Sequence, residues 1–460
     1  MSASTPKKPK RTSPKCNQIG RREPANRIDE MKSAKAIFGP PGTGKTRTLV
    51  DMAQGLKSVL FLSFTKAAAL EVRSRAPQAT ASTIHSLVFN AMGMSRASVV
   101  DQDKLKLFAK ASGIPFKGSE FGSDEIQEGD EYMNVLSYAN NLMVRGDIAY
   151  DHFGQPGTWA RFTRFVDEYT RWKAAYGYLD FDDMLKLYMH KGEPCAHDYV
   201  FLDEAQDCSP MQWLVFTKMC GEHANVVIAG DDDQAIYEWN GADPHGMVKF
   251  IEDNEGTMTI LRKSYRVPPI VHDLAHEVCL NNISQRVEKQ FDPKDSEGRI
   301  EFWGDISNID MSQLVGPTMI LTRDRWRQEE IKRELNREMM PYAVLGGHSP
   351  WTSRLANEIR EGSNPEIPLM WREFYAQANL SAPVEVTLST IHQAKGRESP
   401  RVILDLNLPA RTLNAMYNDR DSELRVLYVA LTRTSKELLL CGSNPLLGMT
   451  STIPACMNTQ

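Results

Sequence analysis

The sequence predicts an α/β protein with two parallel β-sheets, the first of which is interrupted by a mostly helical insertion. From about residue 34 onward, short apolar runs alternate with helical stretches, a pattern typical of parallel strands joined by covering helices. The alternation stops between about 90 and 178, where Lys, Asp, Glu, Tyr and Trp are frequent, and it resumes near 258. We therefore expect a first sheet domain at 31–90 and 179–258, an insertion at 91–178, and a second sheet domain at 259–445.

The individual elements follow from the same pattern. In the first domain the apolar runs predict strands at Ala34–Phe38, Ser58–Phe64, Ala79–Thr83, Tyr199–Leu202 and Val226–Ala229, with helices at Ala67–Arg75 and Pro210–Cys220. In the second domain they predict strands at Thr318–Leu321, Tyr342–Leu345, Val386–Ile391 and Arg401–Leu406, with helices at 324–338 and 422–437. Strands this apolar favour sheets that are covered by helices on both faces.

Length and composition exclude several classes of protein. The 460 residues suffice for two to four domains. No run approaches the ~20 apolar residues that a membrane-spanning helix needs, and the Lys-rich start lacks the apolar core of a secretory signal. The seven cysteines are scattered and form no CxxC pair, which favours reduced thiols in an intracellular protein.

The two ends of the chain differ in character from the rest. Residues 1–22 contain seven Lys and Arg residues and no acidic residue, which predicts a basic disordered tail at 1–30. This tail is a solvated terminus, a weak nucleic-acid contact or a targeting signal. A second tail is expected at 446–460. The net charge of −5 does not indicate a nucleic-acid partner, but phosphate contacts need only a local basic track.

The strongest local signal is Gly39-Pro-Pro-Gly42-Thr-Gly44-Lys45-Thr46, which follows an apolar strand and precedes a helical stretch. It matches the G-x-x-x-x-G-K-[ST] pattern of a phosphate-binding loop. Glycines let backbone N–H groups surround phosphates, and the N-terminus of the following helix adds its positive end. We expect Lys45 to reach the β- and γ-phosphates and Thr46 to offer its hydroxyl to Mg²⁺.

A carboxylate for the metal comes from Val200-Phe-Leu-Asp203-Glu204, an apolar strand that ends in two acids. Asp203 is expected to hold Mg²⁺, and Glu204 to orient or deprotonate the attacking water. Together the two motifs predict hydrolysis of a nucleoside triphosphate with Mg²⁺ as cofactor. Arg47 directly follows the loop, and it either stacks on adenine or is an ordinary surface residue.

Further motifs occur in a fixed order along the chain. They are Phe64-Thr-Lys-Ala-Ala-Ala, Thr83-Ile-His85-Ser86, Leu179-Asp-Phe-Asp-Asp-Met, Leu202-Asp-Glu-Ala-Gln-Asp, Gly230-Asp-Asp-Asp-Gln234-Ala-Ile-Tyr237-Glu-Trp239-Asn-Gly-Ala, Ser264-Tyr265-Arg266, Thr390-Ile-His392-Gln-Ala-Lys395-Gly396-Arg-Glu398 and Leu427-Tyr428-Val-Ala-Leu-Thr432-Arg433. This series resembles the ordered motifs of the UvrD/Rep/PcrA-like superfamily 1 helicases, from about residue 34 to 440. The resemblance implies two RecA-like P-loop NTPase lobes with ATP between them, single-stranded DNA across both lobes, and 3′-to-5′ movement.

The resemblance also implies roles around the nucleotide. Gln234 corresponds to the γ-phosphate sensor that links the ATP site to the DNA channel. Arg266 and Arg433 correspond to the two arginines that reach the γ-phosphate from the second lobe, where they would stabilise the transferring phosphoryl group. The remaining positions are the adenine-stacking Tyr265 opposite Arg47, the ribose-contacting Glu398, and Gln18 as a candidate adenine-reading glutamine.

On the DNA side, the resemblance implies one aromatic group and one polar group of contacts. The aromatic residues would stack on bases without reading their sequence; they are Phe64, Tyr237 and Trp239. The polar residues would contact the sugar-phosphate backbone; they are Thr83, His85, Thr390 and His392. The carboxylates of Leu179-Asp180-Phe-Asp182-Asp183 precede a helix, and we expect them to cap its N-terminus.

Three departures from the family pattern stand out. Asn240 occupies the position after the tryptophan where these helicases carry an arginine, and Arg397 and Ser399 flank Glu398 where apolar residues are usual. Only about 35 residues separate the motif that ends at Gly347 from the strand at Val386, so the large accessory domain is expected to be reduced. No nuclease domain is expected, because about 20 residues follow the last strand.

These motifs favour an ATP-dependent single-stranded DNA translocase and DNA helicase. Its expected partners are single-stranded DNA, tailed duplex DNA and a replication or repair protein, with no membrane and with a monomer as the functional form. We expect it in the cytoplasm of a bacterial or phage-infected cell, or in another DNA-containing compartment. Two alternatives stay open at this point. One is an RNA-directed enzyme of the same superfamily, and the other is a nucleic-acid-binding ATP switch or loading factor that does not unwind.

Overall fold

The chain is represented by a computed structural model that describes residues 32–64, 66–116, 127–309, 316–337, 340–345, 384–409, 412–413, 416 and 419–442. The two predicted tails and Gln18 lie outside these residues. So does most of the segment between Gly346 and Val386, where the reduced accessory domain is expected. Among the described helices, none combines the length and apolar character that crossing a membrane requires.

The first sheet contains six parallel strands. In chain order they are β1 (Ser33–Phe38), β2 (Val59–Ser63), β3 (Thr80–Ser82), β4 (Tyr199–Asp203), β5 (Asn225–Gly230) and β6 (Thr257–Ile260). Their order across the sheet is β3-β2-β4-β5-β1-β6, and every neighbouring pair is parallel. Because β4, β5 and β1 are neighbours, their carboxyl ends lie side by side, which is where ligands bind in parallel sheets.

Helices cover both faces of this sheet. They are α1 (Lys45–Ala53), α2 (Lys66–Arg75), α3 (Ile84–Ala91), and, after the helical segment described next, α9 (Pro210–Cys220) and α10 (Gly246–Asp253). Leu49 and Val50 of α1 pack with Phe61 on one side, and Trp213 and Phe216 of α9 pack with Leu202 on the other. The central strands are buried on both faces, which explains why they are apolar throughout.

In the described part of the chain between α3 and β4, five α-helices follow a 3-10 turn at Arg96–Ser98. They are α4 (Gln102–Ser112), α5 (Glu128–Leu142), α6 (Gly146–His152), α7 (Trp159–Tyr176) and α8 (Phe181–Lys191). Helices α4 to α7 share an aromatic core that includes Phe108, Tyr132 and Phe165. This segment has a hydrophobic cluster of its own, in line with the expected insertion at 91–178. The exact limits of the domains stay a prediction.

The second sheet also contains six parallel strands. They are β7 (Arg299–Trp303), β8 (Thr318–Thr322), β9 (Tyr342–Val344), β10 (Val386–Thr390), β11 (Ser399–Asp405) and β12 (Thr434–Cys441), in the order β7-β12-β11-β8-β10-β9. The described helices around it are α11 (Pro269–Ala275), α12 (Arg325–Arg337) and α13 (Arg420–Leu431), with a π-helical turn at His276–Leu280. The predicted fold class, two parallel sheets in an α/β chain, is confirmed.

The predicted helix at 422–437 is partly wrong. Helix α13 ends at Leu431, and the strand β12 begins at Thr434. Two threonines, Thr432 and Thr434, fall at this boundary, and β-branched residues favour strands over helices. The hydroxyl of Thr432 donates to the carbonyl of Tyr428 at 2.8 Å, which satisfies the last turn of the helix. The sequence also gave no sign of β6 and β7, which are edge strands.

A buried cluster of charges joins the end of β5 to the segment that precedes β7. The carboxylates of Asp231, Asp232 and Asp233 surround the ammonium of Lys289, at 3.0 Å from Asp231 and 2.9 Å from Asp233. Arg286 adds a two-pronged pair with Asp233 at 2.7 and 2.8 Å. The three carboxylates lie close enough together to hold a metal ion, but Lys289 occupies that position as their counter-ion.

We predict that Lys289→Met destabilises the folded chain by about 3–5 kcal/mol, because three buried carboxylates lose their shared partner. The free energy of unfolding is measured in urea by tryptophan fluorescence. The matched control is Lys263→Met, which removes an exposed pair with Asp295 and should cost about 0–1 kcal/mol. Equal losses in the two variants would contradict a special role for the buried cluster.

Candidate active site and nucleic-acid interface

The loop Gly39–Thr46 leads from β1 into α1 at the carboxyl end of the sheet. The N–H of Gly39 donates to the carbonyl of Gly230 at 3.0 Å, which ties the loop to β5. Gly44 caps α1 in the left-handed region at a φ of 80°, a conformation that glycine adopts without strain. The ammonium of Lys45 is buried and donates to the carbonyl of Gly39 at 2.6 Å. The loop is therefore folded around the position that phosphates take in such loops.

A segment from the second half of the chain, the part after β6 that forms the second sheet, lies against this loop. The N–H of Tyr265 donates to the carbonyl of Gly42 at 2.9 Å, and the hydroxyl of Ser264 donates to the carbonyl of Pro41 at 2.8 Å. A Cβ on Gly42 would lie 2.5 Å from the Cβ of Arg266, so only glycine permits this approach. The motif Ser264–Arg266 is thereby held at the edge of the phosphate-binding loop.

Thr46 and Asp203 meet as the sequence predicts. The hydroxyl of Thr46 donates to a carboxylate oxygen of Asp203 at 2.6 Å. Burial, with the neighbouring Glu204 charge, raises the pKa of Asp203 above its usual range, although the Thr46 hydroxyl and the charge of Lys45 oppose this. A hydroxyl and a carboxylate are the hard oxygen ligands that Mg²⁺ binds. The pair therefore fits a magnesium site.

Glu204 lies beside Asp203 in a different electrostatic environment. Burial opposes its ionisation, but the charges of Lys395 and Lys45 and a hydrogen bond from Gln206 outweigh it and lower the pKa of Glu204. The amide of Gln206 donates to the Glu204 carboxylate at 2.5 Å. The backbone of Glu204 is in the left-handed region at a φ of 55°, an uncommon conformation for a residue other than glycine. Glu204 is thus held as a carboxylate, the form that accepts a proton.

Gln234 connects the two halves of the chain. Its side-chain oxygen accepts from the guanidinium of Arg433 at 3.0 Å, and its amide donates to Asp231 at 2.7 Å. Arg433 is fully buried, and burial together with the charge of Arg266 lowers its pKa to about 9. Among the described residues, no carboxylate forms an ion pair with this guanidinium, and a buried guanidinium of this kind can bind an anion.

The other predicted nucleotide contacts surround this centre. Arg266 forms an ion pair with Glu398, so the expected ribose contact of Glu398 stays a prediction. The ring of Tyr265 is 77% exposed and is open to stacking. Arg47 is also exposed and lies 3.7 Å from Asp51, so its stacking on adenine stays a prediction as well.

Lys395 belongs to the motif Thr390–Glu398, but sequence reasoning assigned it no role. Its ammonium lies 2.6 Å from both carboxylate oxygens of Asp207 and donates to the backbone carbonyl of Gln234 at 2.6 Å. It also lies 5.4 Å from the centre of the Tyr237 ring. Its place between His392 and Glu398 in one motif is the only signal in the sequence that could have indicated a function. Lys395 is the second cation that joins the two halves at Gln234.

The predicted aromatic contacts lie together. The ring centroid of Tyr237 is 5.1 Å from that of Phe64, 6.4 Å from that of Trp239 and 6.0 Å from that of His392. The Tyr237 hydroxyl also donates to the carbonyl of His392 at 3.2 Å. All four side chains are partly exposed. This group contains residues from both halves of the chain. Its central member, Tyr237, follows Gln234 by three residues.

The two Thr-Ile-His motifs have similar settings at the ends of β3 and β10. The hydroxyl of Thr83 accepts from the N–H of Ser86 at 3.2 Å, and that of Thr390 accepts from the N–H of Gln393 at 3.4 Å. Burial lowers the pKa of His85 to about 4 and, with Arg323 and Lys395, that of His392 to about 3. Both imidazoles are neutral, and the buried Nε2 of His392 has no hydrogen-bond partner among the described residues.

Two further expectations concern the surroundings of these motifs. Asp180 caps α8 and forms a capping box with Asp183, which confirms the predicted structural role of these carboxylates. Asn240, the departure from the family pattern, accepts a hydrogen bond at its backbone carbonyl from the amide of Asn141 at 3.0 Å. Asn141 lies on α5, so the helical segment supports the loop that carries Trp239.

Comparison with known families identifies two matching domains. The family model described as the UvrD/REP helicase N-terminal domain matches residues 21–255. The one described as the UvrD-like helicase C-terminal domain matches residues 374–444. The first match alone covers more than half of the chain.

Similar proteins include two curated helicases. The ATP-dependent DNA helicase PcrA of Leuconostoc citreum is 23% identical over 380 residues, which cover 70% of this chain and 49% of the relative. The ATP-dependent DNA helicase Rep of Buchnera aphidicola is 22% identical over 358 residues, which cover 69% of this chain and 51% of the relative. The chain thus spans about half the length of these relatives. A solved complex of Arterivirus nonstructural protein 10 (helicase) with DNA covers 91% of this chain and 63% of its own, at 15% identity and a TM-score of 0.39.

We predict that Lys395→Met destabilises the fold more at high pH than at low pH. Burial raises the pKa of Asp207 to about 7 although Lys395 opposes this, and the variant raises it further. Ionising Asp207 then costs folding energy as the pH rises, whereas a protonated Asp207 costs little. Urea unfolding at about pH 6 and about pH 8 measures the difference. The exposed neighbour Arg397→Met serves as control, and a pH-independent loss for Lys395→Met would contradict the argument.

Proposed function

Because the chain belongs to the UvrD/REP helicase family, we propose that it is an ATP-dependent single-stranded DNA translocase and DNA helicase. The observation that carries this proposal is the position of Gln234. Its side chain contacts Arg433 on the nucleotide side, and Tyr237 of the aromatic group lies three residues further along. One short segment therefore joins a hydrolytic site to a base-stacking site.

The chemistry assigned to the nucleotide site is hydrolysis of ATP to ADP and phosphate. Lys45 and the N–H groups of Gly42 and Gly44 would hold the phosphates, while Gly39 anchors the loop to β5. Thr46 and Asp203 would hold Mg²⁺, which offsets the charge of the phosphate oxygens when bound. Glu204, kept ionised by its neighbours, would orient the attacking water and accept its proton.

The coupling step assigned to this site is closure of the two halves around the γ-phosphate. Arg433 and Arg266 supply the positive charge from the second half. A γ-phosphate offers them a better partner than Gln234 or Glu398, so ATP favours the closed arrangement and hydrolysis releases it. This difference in contacts is what a ligand needs to shift a conformational equilibrium.

The DNA contacts are assigned to the aromatic and polar side chains on the same side as Tyr237. Phe64, Tyr237 and Trp239 would stack on bases, each stack contributing about 1–3 kcal/mol. Thr83, His85, Thr390 and His392 would contact the sugar-phosphate backbone. Neutral imidazoles at His85 and His392 suit this role, because they donate a hydrogen bond without depending on pH near neutrality.

The wider assignments rest on family membership. We assign the substrates as single-stranded and 3′-tailed duplex DNA, the direction as 3′-to-5′, and the compartment as one that contains DNA. A monomer suffices, because both halves of the cleft come from one chain. The five described cysteines are free, which is compatible with a reducing compartment. A replication or repair protein as partner stays a prediction.

The decisive experiment is ATP hydrolysis with and without a single-stranded DNA oligomer. We expect strong stimulation by DNA, and a loss of about 10²-fold or more in Lys45→Ala, because the phosphates lose their buried cation. Lys57→Ala, which removes an exposed lysine from the same half of the chain, is the control and should behave as wild type.

Two outcomes would contradict the proposal. Unchanged ATP turnover in Lys45→Ala would contradict the assignment of the ATP site to this loop. Turnover that ignores DNA would remove the motor assignment and favour an ATP switch. Displacement of a strand from a 3′-tailed duplex then separates a helicase from a translocase that does not unwind, and RNA oligomers in the same assay test the choice of nucleic acid.

A further inference from the structure

A partly exposed aromatic surface lies at the C-terminal end of α7, outside the motifs already discussed. It consists of Trp172 and Tyr176 on α7 and of Tyr178, two residues beyond the helix. Tyr176 and Tyr178 are stacked, with ring centroids 5.5 Å apart and an angle of 14° between the planes. Trp172 meets Tyr178 edge-on at 5.2 Å. We call these three residues the aromatic platform.

The aromatic platform is held rigidly by the backbone around it. Gly177 ends α7 in the left-handed region at a φ of 67°, which turns the chain so that Tyr178 folds back under Tyr176. The N–H of Tyr178 donates to the carbonyl of Lys173 at 2.9 Å, and Leu179 pairs with the chain at Ser98 and Val100. On the inner side, Trp172 packs on Phe108 at 5.3 Å. A surface fixed in this way loses little entropy on binding.

The ring of Tyr176 is the outermost of the three and contributes little to the packing of the core. Tyr176 is 65% exposed, although Tyr178 stacks on one of its faces and the Trp172 ring lies 6.1 Å away at an angle of 55°. Much of the ring is therefore open to solvent. The other side of Tyr178 faces the ammonium of Lys104 at 5.5 Å from the ring centre. An exposed aromatic face in an ordered setting is what a flat π-system binds.

One cation next to the platform is available to a phosphate. Helices α4 and α7 together contain seven Lys and Arg residues. Five of these pair with carboxylates, namely Lys104, Lys106, Arg161, Arg164 and Lys173. The guanidinium of Arg171, directly before Trp172, forms no ion pair with any carboxylate of the described residues.

A short stretch of chain links the platform to the DNA interface assigned above. Phe181 follows Tyr178 by three residues, so their Cα atoms lie at most about 11 Å apart. The Phe181 ring is 58% exposed and meets His85 edge-on at 5.5 Å. An exposed aromatic ring therefore lies next to His85 and within that span of Tyr178.

We propose that the aromatic platform binds a base of single-stranded DNA on the open face of Tyr176, extending the path of the strand from His85 onto the helical segment. The proposal rests on the proposed function, because it assumes that DNA reaches His85. A phosphate next to the stacked base would lie near the guanidinium of Arg171. The contact is independent of base sequence, since every base has a π-face.

The test uses the full-length chain and a length series of labelled oligothymidylates, with binding followed by fluorescence anisotropy. Wild-type affinity should increase in a final step when the strand becomes long enough to reach Tyr176. Tyr176→Ala should lose this step, about tenfold in affinity for the loss of one stack, while short strands bind as in wild type. Tyr176→Phe keeps the ring and should keep the step.

Leu107→Ala is the matched control, because Leu107 is 61% exposed on α4 and carries no ring. It should bind strands of every length as wild type does. Thermal unfolding of each variant separates binding from folding. The proposal is overturned if Tyr176→Ala retains the step, or if it weakens all lengths equally while lowering the unfolding midpoint. Wild-type protein that binds no strand of any length would overturn the proposed function itself.

Discussion

The arrangement of the two halves depends on two buried cations of the second half whose hydrogen-bond partners lie in the first half. Arg433 and Lys395 come from the second half, and both end on Gln234, one at its side chain and the other at its carbonyl. Burying a charge without a partner is expensive. The two halves therefore satisfy each other's polar groups at this point, and any ligand that offers a better partner to Arg433 changes the balance between them.

The segment 231–239 connects this contact between the two halves to two other parts of the structure. At its start, Asp231 accepts from Gln234 and belongs to the carboxylate cluster around Lys289. At its end, Tyr237 and Trp239 belong to the aromatic group, and Asn141 of the helical segment supports the loop. Since the segment is short and anchored at both ends, a shift at Gln234 has few ways to be absorbed before it reaches the aromatic residues.

The sequence predicted the fold class, and it predicted that Thr46 and Asp203 lie together, because a glycine loop after a strand and an acidic strand end are local patterns with a direct physical meaning. The roles of these residues in binding ATP stay a prediction. It could not predict which distant groups meet. Lys395 is separated from Asp207 by 188 positions, and Lys289 lies far along the chain from the carboxylates it neutralises. The helix at 422–437 was extended too far because periodicity alone does not register the threonines at which α13 gives way to β12.

The central claim is that Gln234 and Arg433 act as one unit that links hydrolysis to the DNA side. A double-mutant cycle tests it most directly, with DNA-stimulated ATP turnover measured for Gln234→Ala, Arg433→Ala and the pair. If the two residues act together, the double variant should lose no more activity than the worse single variant. Losses that multiply would mean that the two side chains act independently, and would contradict the account.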